Sequence, residues 1–444
     1  MVVGSLYTVI DRAFLGKVVG ADALAGISVC MPVGFVMMAF SLLIGIGSGS
    51  LVSIRLGQRK KEEAEHILGN ALTLAVIASI VSTVVFMVLL VPLLTQFGAS
   101  PATLPYGQQF LRVILLGSLF QYVSFGLNAI IRAEGNPRLA MLTMFINAGL
   151  NIALDAIFIL GLGFGITGAA VATVISQAVS AIWTVAHFCS ERSVLKLRLK
   201  NLRPRWQVLR PALAIGMAPF SMHLAASVIS LIVNRGLARY GGDLAVSSYG
   251  IVGPIAMLFL MPVFGLNQGA QPIIGYNFGA GRVDRVRRTL KLAVLAATAV
   301  VCLGFVMAEA IPGVLVRAFV EDERVVALSV RGMRFWFAML PVVGFQAVSA
   351  NFFQAIGKAR ISLILTLLRQ VIIFIPLLLI LPPLIGLDGV WASGPISDAA
   401  SSLLTAAALT YQLRLLKQQE ADGAFRAVSP PGRVGPIAAD SLAP

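Results

Sequence analysis

Asn147-Ala148-Gly149-Leu150-Asn151-Ile152-Ala153-Leu154-Asp155 lies inside an apolar run, about 139–161, with the length and flanks of a membrane-spanning helix. Asn147, Asn151 and Asp155 recur at four-residue intervals, so a helix stacks all three on one face. A carboxylate in the hydrocarbon region is costly and as a rule faces the bundle interior or a water-filled cavity. The next apolar segment carries Thr173 and Gln177, one helical turn apart, and an earlier one carries Asp11. Together these groups read as a cation-accepting site. The rest of the chain reads as the means of exposing it alternately to two sides of a membrane.

The surrounding chain has the same character. Of its 444 residues, 58% are hydrophobic and 12% charged, whereas soluble proteins carry roughly 45–50% apolar and about 25% charged residues. The reading is an all-α polytopic membrane protein. Twelve hydrophobic segments follow one another at about 1–16, 25–54, 67–96, 106–131, 139–161, 165–189, 210–237, 245–277, 288–316, 327–356, 362–385 and 388–415. All but the first are long enough to span with some tilt. The first would reach only about 24 Å as a helix, short of the roughly 30 Å hydrocarbon core. The expectation is a first helix cut short, with a stretch missing upstream. It has no basic n-region and does not resemble a signal peptide.

Charge follows topology. The connections after the second, fourth, sixth, eighth and tenth segments, with the tail, hold 24 of the 34 basic residues. The odd-numbered connections hold only Lys17, Arg235, Arg239, Arg317 and Arg324. By the positive-inside rule the even connections and both termini are cytoplasmic. The net charge of +15 therefore reports orientation and not a nucleic-acid partner. Cys30, Cys189 and Cys302 form no CxxC pair, and His66, His187 and His223 no zinc cluster.

Punctuation residues also repeat. Pro32 and Pro254, Gly47 and Gly269, Gly57 and Gly279, and Gly135 and Gly357 are each 222 positions apart; Gly168 and Gly389 are one residue out of that register. Six segments separate the copies, so both halves enter the membrane in the same orientation. Two parallel six-helix repeats imply a pseudo-two-fold axis along the membrane normal with a cavity between or within the halves. The expected organisation is a lobe over 1–189, a cytoplasmic linker over 190–209, a second lobe over 210–415 and a disordered cytoplasmic tail over 416–444. The alternating Leu and Lys/Arg of the linker fit a segment lying on anionic headgroups; a solvated connection fits equally.

No phosphate-binding GxxxxGK[ST], GxSxG, HExxH or DDxxD-like constellation occurs, which argues against an ATPase, a hydrolase or a prenyl transferase. Ionisable groups within the membrane are what remain. Asp11 and Asp155 close together in low dielectric cannot both ionise cheaply, so one takes up a proton or recruits a cation. Asn147, Asn151 and Thr173 offer neutral oxygens to such an ion. The competing reading is structural, with each acid in an interhelical hydrogen bond or paired with Arg12 or Arg112. The second half does not repeat this chemistry, since Ile373 and Leu377 stand opposite Asn151 and Asp155. Asp398 falls near the position of Gln177, and these two, with Asn147, are candidates to line a cavity. Arg334 and Arg369, inside segments, are expected to snorkel or pack against carbonyls.

These residues resemble the multidrug and toxic compound extrusion (MATE) family over about residues 1–415. The matching stretches are Tyr7 to Gly16, Arg55-Leu-Gly57, Arg132-Ala-Glu-Gly-Asn-Pro137, Leu150 to Asp155, Gly168 to Thr173 and Gln271 to Asn277. The resemblance implies a V-shaped pair of six-helix lobes that exports cationic or amphipathic compounds against an inward proton or sodium gradient. In the bacterial and archaeal branch coupled through the first lobe, the ion site uses an aspartate on helix 1, an Asn-x-x-x-Asp pair on helix 5 and a threonine on helix 6. Asp11, Asn151, Asp155 and Thr173 match that pattern. A branch with acids on helices 7 and 10 is not matched, and the short first helix departs from the family.

The resulting expectation is a secondary antiporter of the plasma (inner) membrane, not an enzyme. It needs no cofactor beyond H⁺ or Na⁺ as coupling ion; the sodium ligands would be Asp11, Asn151, Asp155 and Thr173. Its partners are small lipophilic cations and membrane lipids, and it is a monomer. The rival is a flippase for lipid-linked oligosaccharide or peptidoglycan precursors, which calls for a strongly basic central cavity. Here Arg112, Arg331, Arg334 and Arg369 are scattered.

Overall fold

The computed structural model describes residues 21–320 and 322–421, and every regular element among them is helical. Helix α1 (Ala21–Gly57) is followed by α2 (Lys61–Val88), a short α3 (Leu90–Gln96), α4 (Leu104–Leu116), α5 (Ser118–Ala133), α6 (Pro137–Gly161) and α7 (Gly165–Cys189). After an irregular strap come α8 (Trp206–Gly242), α9 (Leu244–Gly279), α10 (Val283–Ala310), α11 (Pro312–Arg317), α12 (Glu323–Phe337), α13 (Leu340–Ala355), α14 (Ala359–Ile385) and α15 (Leu387–Ala421). Only Gly242, at φ 63°, parts α8 from α9; a left-handed φ is open to glycine at little cost.

Eight of these helices are long and apolar enough to cross a membrane, or ten when the bent pairs α4–α5 (54°) and α12–α13 (47°) each count as one span. Helix α15 is long but more polar, with Pro395 inside it. It continues past the apolar run that ends near 415, so residues 416–421, expected in a disordered tail, are helical. The remainder of that tail lies outside the described residues. So does the apolar stretch 1–16, which with the helices above makes up the twelve segments, and with it Asp11.

The two halves repeat element by element. Helices α2 and α10 begin at 61 and 283 and end at 88 and 310; α5 and α13 begin at 118 and 340; α6 and α14 at 137 and 359; α7 and α15 at 165 and 387. Each of these pairs carries the same 222-residue displacement as the glycine and proline pairs. The bends repeat too, at Gly117 between α4 and α5 and at residues 338–339 between α12 and α13. At the first, a Cβ on Gly117 would stand 2.4 Å from Val174 Cγ2, so the absent side chain lets α7 close against the bend.

Each lobe has its own apolar core. Met37, Leu68, Leu115, Tyr122, Leu127 and Phe188 are among the buried residues of the first; Val301, Met333, Phe337, Phe352, Phe353 and Trp391 among those of the second. The outward faces of α2 (Ile80, Val81, Val84, Val88) and α10 (Leu292, Leu295, Leu303, Val306) are exposed and apolar, as a lipid-facing surface requires.

The lobes meet where α1 crosses α8 and α9, and glycine sets the spacing. A Cβ on Gly57 would stand 2.0 Å from Tyr276 O, and one on Gly279 would stand 2.1 Å from Ile54 O. Residues 54 and 276, like 57 and 279, are repeat partners, so one contact is made twice about the pseudo-two-fold axis. Further back along α1, Gln271 Nε2 donates to Ser50 Oγ at 2.5 Å, and, some seventeen residues from Gly57, Phe40 meets Phe220 edge-on with centroids 5.1 Å apart.

The strap between α7 and α8 is pinned along α2, with Arg198, Leu199, Lys200 and Arg203 exposed on its outer side. Asn70 Nδ2 donates to Asn201 O (3.0 Å) and Arg203 O (3.2 Å), while its Oδ1 accepts from Arg205 N–H (2.7 Å). Thr73 Oγ1 donates to Leu202 O at 2.6 Å. Gly69 permits this approach, since a Cβ there would lie 2.3 Å from Asn201 O.

Candidate functional site

Helix α6 starts at Asn136, whose side-chain oxygen accepts from Leu139 N–H at 3.1 Å, with Pro137 in the first turn where its missing donor costs nothing. Regular α geometry then carries Asn147, Asn151 and Asp155 on consecutive turns. Directly after Asp155 the helix widens into a π turn, Ala156–Gly161. Gly168 lets α7 pack against that turn; a Cβ there would lie 3.1 Å from Phe158 Cβ. A π turn inserts one residue into the helix, re-aiming the side chains beyond it, and such turns occur often at functional sites.

Asp155 is fully buried and Asn151 is 2% exposed. Asn151 Nδ2 donates to Thr173 Oγ1 on α7 at 3.3 Å. The amide oxygens of Asn147 and Asn151 are both buried and have no hydrogen-bond partner among the described residues. An amide oxygen withheld from water and from donors carries a desolvation cost of roughly 1–3 kcal/mol, which a cation or a proton donor in the site would relieve. Gln177, one turn beyond Thr173, is buried, but among the described residues no hydrogen bond joins it to the Asn151–Thr173 pair. The structure thus brings Asn151 and Thr173 together, with Asp155 one turn along α6.

Chemically this is one carboxylate, one amide oxygen and a hydroxyl, with the Asn147 amide oxygen two turns before Asp155 on the same face. Hard cations take such all-oxygen sets, and a carboxyl group in the same surroundings can hold a proton instead. Among the described residues no group of three or more His, Cys, Asp or Glu could hold a metal ion, so what those residues offer is neutral oxygens around one acid, Asp155.

The second lobe answers with different chemistry. Arg369 stands 222 positions after Asn147, and Asp398 stands 221 after Gln177. In the structure the two are joined: Arg369 Nε donates to Asp398 Oδ1 at 2.6 Å. Arg369 lies in the π turn Leu368–Phe374 of α14, and its carbonyl accepts from Ser397 Oγ at 2.6 Å. Arg369 therefore neither snorkels nor packs merely on carbonyls; the carboxylate one repeat away from Gln177 holds it. Arg334, also expected to snorkel, pairs with Glu309 at 3.7 Å, and Arg331 pairs with Asp388 at 2.6 Å. Asp398 belongs to this second-lobe pair, and among the described residues no hydrogen bond joins it to the Asn151–Thr173 pair.

One buried cluster escaped the reading of the sequence. Glu134, at the end of α5, contacts His187 Nε2 on α7, and its other oxygen accepts from Ser193 Oγ at 2.8 Å. Close by at the same helix end, Arg132 reaches Asn128 Oδ1. The signal was present in Arg132-Ala-Glu-Gly-Asn-Pro137, where Glu134 is the acid among basic neighbours, but its partner lies in another helix.

The family model MatE matches residues 1–157 and 219–380. The multidrug export protein MepA of Staphylococcus haemolyticus (strain JCSC1435) is 29% identical over 424 residues, covering 93% of this chain and 92% of its own. Among solved structures, the MATE multidrug transporter DinF-BH, determined as a complex, is 39% identical, covers 92% of both chains and superposes with a TM-score of 0.86. A MATE structure in the bent conformation is 25% identical, covers 94% of this chain and 93% of its own, and gives a TM-score of 0.89.

Proposed function

The chain belongs to the MatE family, and from that premise we propose that it is a multidrug efflux transporter working as an antiporter, with H⁺ or Na⁺ as the coupling ion. The observation that carries the antiport reading is the buried Asp155 beside the Asn151–Thr173 hydrogen bond, with two amide oxygens left unsatisfied. An ion arriving from outside neutralises Asp155, together with Asp11 of the first segment, and favours a state with low affinity for the exported compound. Release of the ion on the basic-loop side, which the charge distribution makes cytoplasmic, restores the charged site. Coupling requires that ion and drug prefer opposite states, because a ligand that binds both equally shifts nothing.

On this reading the substrates are small lipophilic cations, the protein is a monomer of the plasma membrane, and Gln177 and Asp398 line the route the substrate takes. The flippase alternative finds less support. Of Arg112, Arg331, Arg334 and Arg369, the last three each have a carboxylate partner, which leaves little free positive charge among them for a pyrophosphate.

The test is lipophilic-cation efflux from proteoliposomes under a pH gradient and a sodium gradient imposed separately. Wild type should export under one gradient, and Asp155→Asn should insert and fold but lose roughly tenfold or more of that gradient-driven rate, the equivalent of about 1.4 kcal/mol. Undiminished gradient-driven export by Asp155→Asn would refute the assignment.

A further inference from the structure

A cavity of about 220 Å³ opens between the first turns of α2 and the strap, lined by Lys61, Glu62, Glu65, His66, Arg198, Lys200 and Asn201. We propose that this cavity is a binding site for an anionic phosphoryl group, held between α2 and the strap that joins the two lobes. Nothing in the transport reading assigns it, and it stands whether or not Asp155 couples an ion.

The lining is built to accept negative charge. Glu65 is already satisfied: its oxygens take Arg198 Nε at 3.3 Å and Lys196 N–H at 3.2 Å. Glu62 is exposed at the rim. Among the described residues neither Lys61 nor Lys200 has a carboxylate within ion-pair distance, so two ammonium groups face the cavity's surroundings unneutralised. The site also sits at the positive end of α2, a 28-residue helix whose cap position, Lys60, supplies no side-chain acceptor for the first N–H groups.

Two buried polar atoms among the lining residues suit such a group. Arg205 Nη1 lies 3.4 Å from His66 Nε2. A guanidinium can only donate, so Nε2 accepts and the imidazole proton sits on Nδ1. That Nδ1 is buried and has no partner among the described residues, which leaves a donor waiting for an acceptor. Asn201 is 2% exposed, and its Oδ1 is likewise buried without a partner. The amide can turn to present Nδ2 to an anion, or Oδ1 can take the hydroxyl of a protonated phosphate. A phosphoryl group carries enough oxygens to meet His66, Asn201, Lys61 and Lys200 together.

Such a group has two sources, a phospholipid headgroup of the leaflet on the basic-loop side or a soluble phosphate. The experiment follows the thermal unfolding midpoint of purified full-length protein in a neutral detergent. One arm titrates inorganic phosphate against chloride at matched ionic strength; the other titrates short-chain phosphatidylglycerol against phosphatidylcholine of equal chain length. A saturable rise of a few degrees is expected in at least one arm, since a ligand of the folded state alone raises the midpoint by mass action. A rise with phosphatidylglycerol only assigns the lipid, a rise with phosphate only assigns the soluble ion, and a rise with both assigns the phosphoryl group from either source. Lys61→Gln/Lys200→Gln, at exposed positions without ion partners, should unfold at the wild-type midpoint without ligand and lose the rise. Arg287→Gln/Arg288→Gln, at exposed positions near the start of α10, should keep it. No rise in either arm, an undiminished rise in the Lys61/Lys200 variant, or equal loss in both variants would overturn the proposal.

Discussion

Thr173 gives Asn151 the acceptor for one of its amide protons, and that bond fixes the amide oxygen as the end left without a partner among the described residues. Thr173→Val keeps the shape and removes the oxygen, so about 1 kcal/mol of hydrogen bonding is lost and the amide is free to turn. Export by this variant should need a coupling-ion gradient or concentration about five- to tenfold higher, read from the half-saturating ion concentration for proteoliposome efflux. The pair Arg369–Asp398 poses a different question. Its side chains are 31% and 13% exposed, so solvent screens it in part. Arg369→Gln or Asp398→Asn alone should lower the unfolding midpoint more than the double change, because each single variant strands a charge; about 3–5 kcal/mol is the ceiling for a fully buried pair. A double variant less stable than either single would show that the two residues act separately. Asn151 and Asp155 were readable in the sequence because helical periodicity is local. The Arg369–Asp398 bond was not, because it joins two helices and becomes visible only when Asn147 and Gln177 are carried across both repeat offsets.

Among the elements, the helices were legible at their glycines and prolines, and their breaks were not. The apolar runs 106–131 and 327–356 each read as one segment, yet each bends, at Gly117 and at residues 338–339. Mean hydropathy is blind to such a bend, since both limbs remain apolar. The π turns of α6 and α14 were equally hidden, because an extra residue in a turn leaves composition unchanged. The strap shows the converse: its alternating Leu and Lys/Arg suggested a surface segment, while Asn70, Thr73 and Gly69 on α2 hold it down. Gly69→Ala would set a Cβ 2.3 Å from Asn201 O. That variant should release the strap, and limited trypsin digestion should cut between Arg198 and Arg205 several times faster than in wild type. An unchanged cleavage rate would mean that the strap accommodates the methyl group in place. Asn70→Ala, which removes three hydrogen bonds to the strap, should act in the same direction.

For the whole molecule, the 222-residue repeat was the strongest feature of the sequence, and the helix boundaries follow it closely. What it could not convey is how near the halves come to each other. Gly57 against Tyr276 O and Gly279 against Ile54 O close the lobes at the end that carries the basic connections. Gly57→Leu or Gly279→Leu should hold that end apart and reduce export to near background. A cysteine placed at Ser53 should then react faster with a membrane-impermeant thiol reagent added from the basic-loop side; unchanged labelling would mean that the lobes are held by other contacts.

The three pairs Arg331–Asp388, Arg334–Glu309 and Arg369–Asp398 have a further meaning for the energetics of the cycle. Membrane voltage does work only on net charge, about 2.3 kcal/mol per elementary charge for each 100 mV crossed. A lobe whose internal charges travel as neutral pairs feels almost none of that force. On the antiport proposed above, with Asp155 in the other lobe as its coupling group, the electrical part of the driving force would be delivered to one half of the molecule and the second half would follow mechanically.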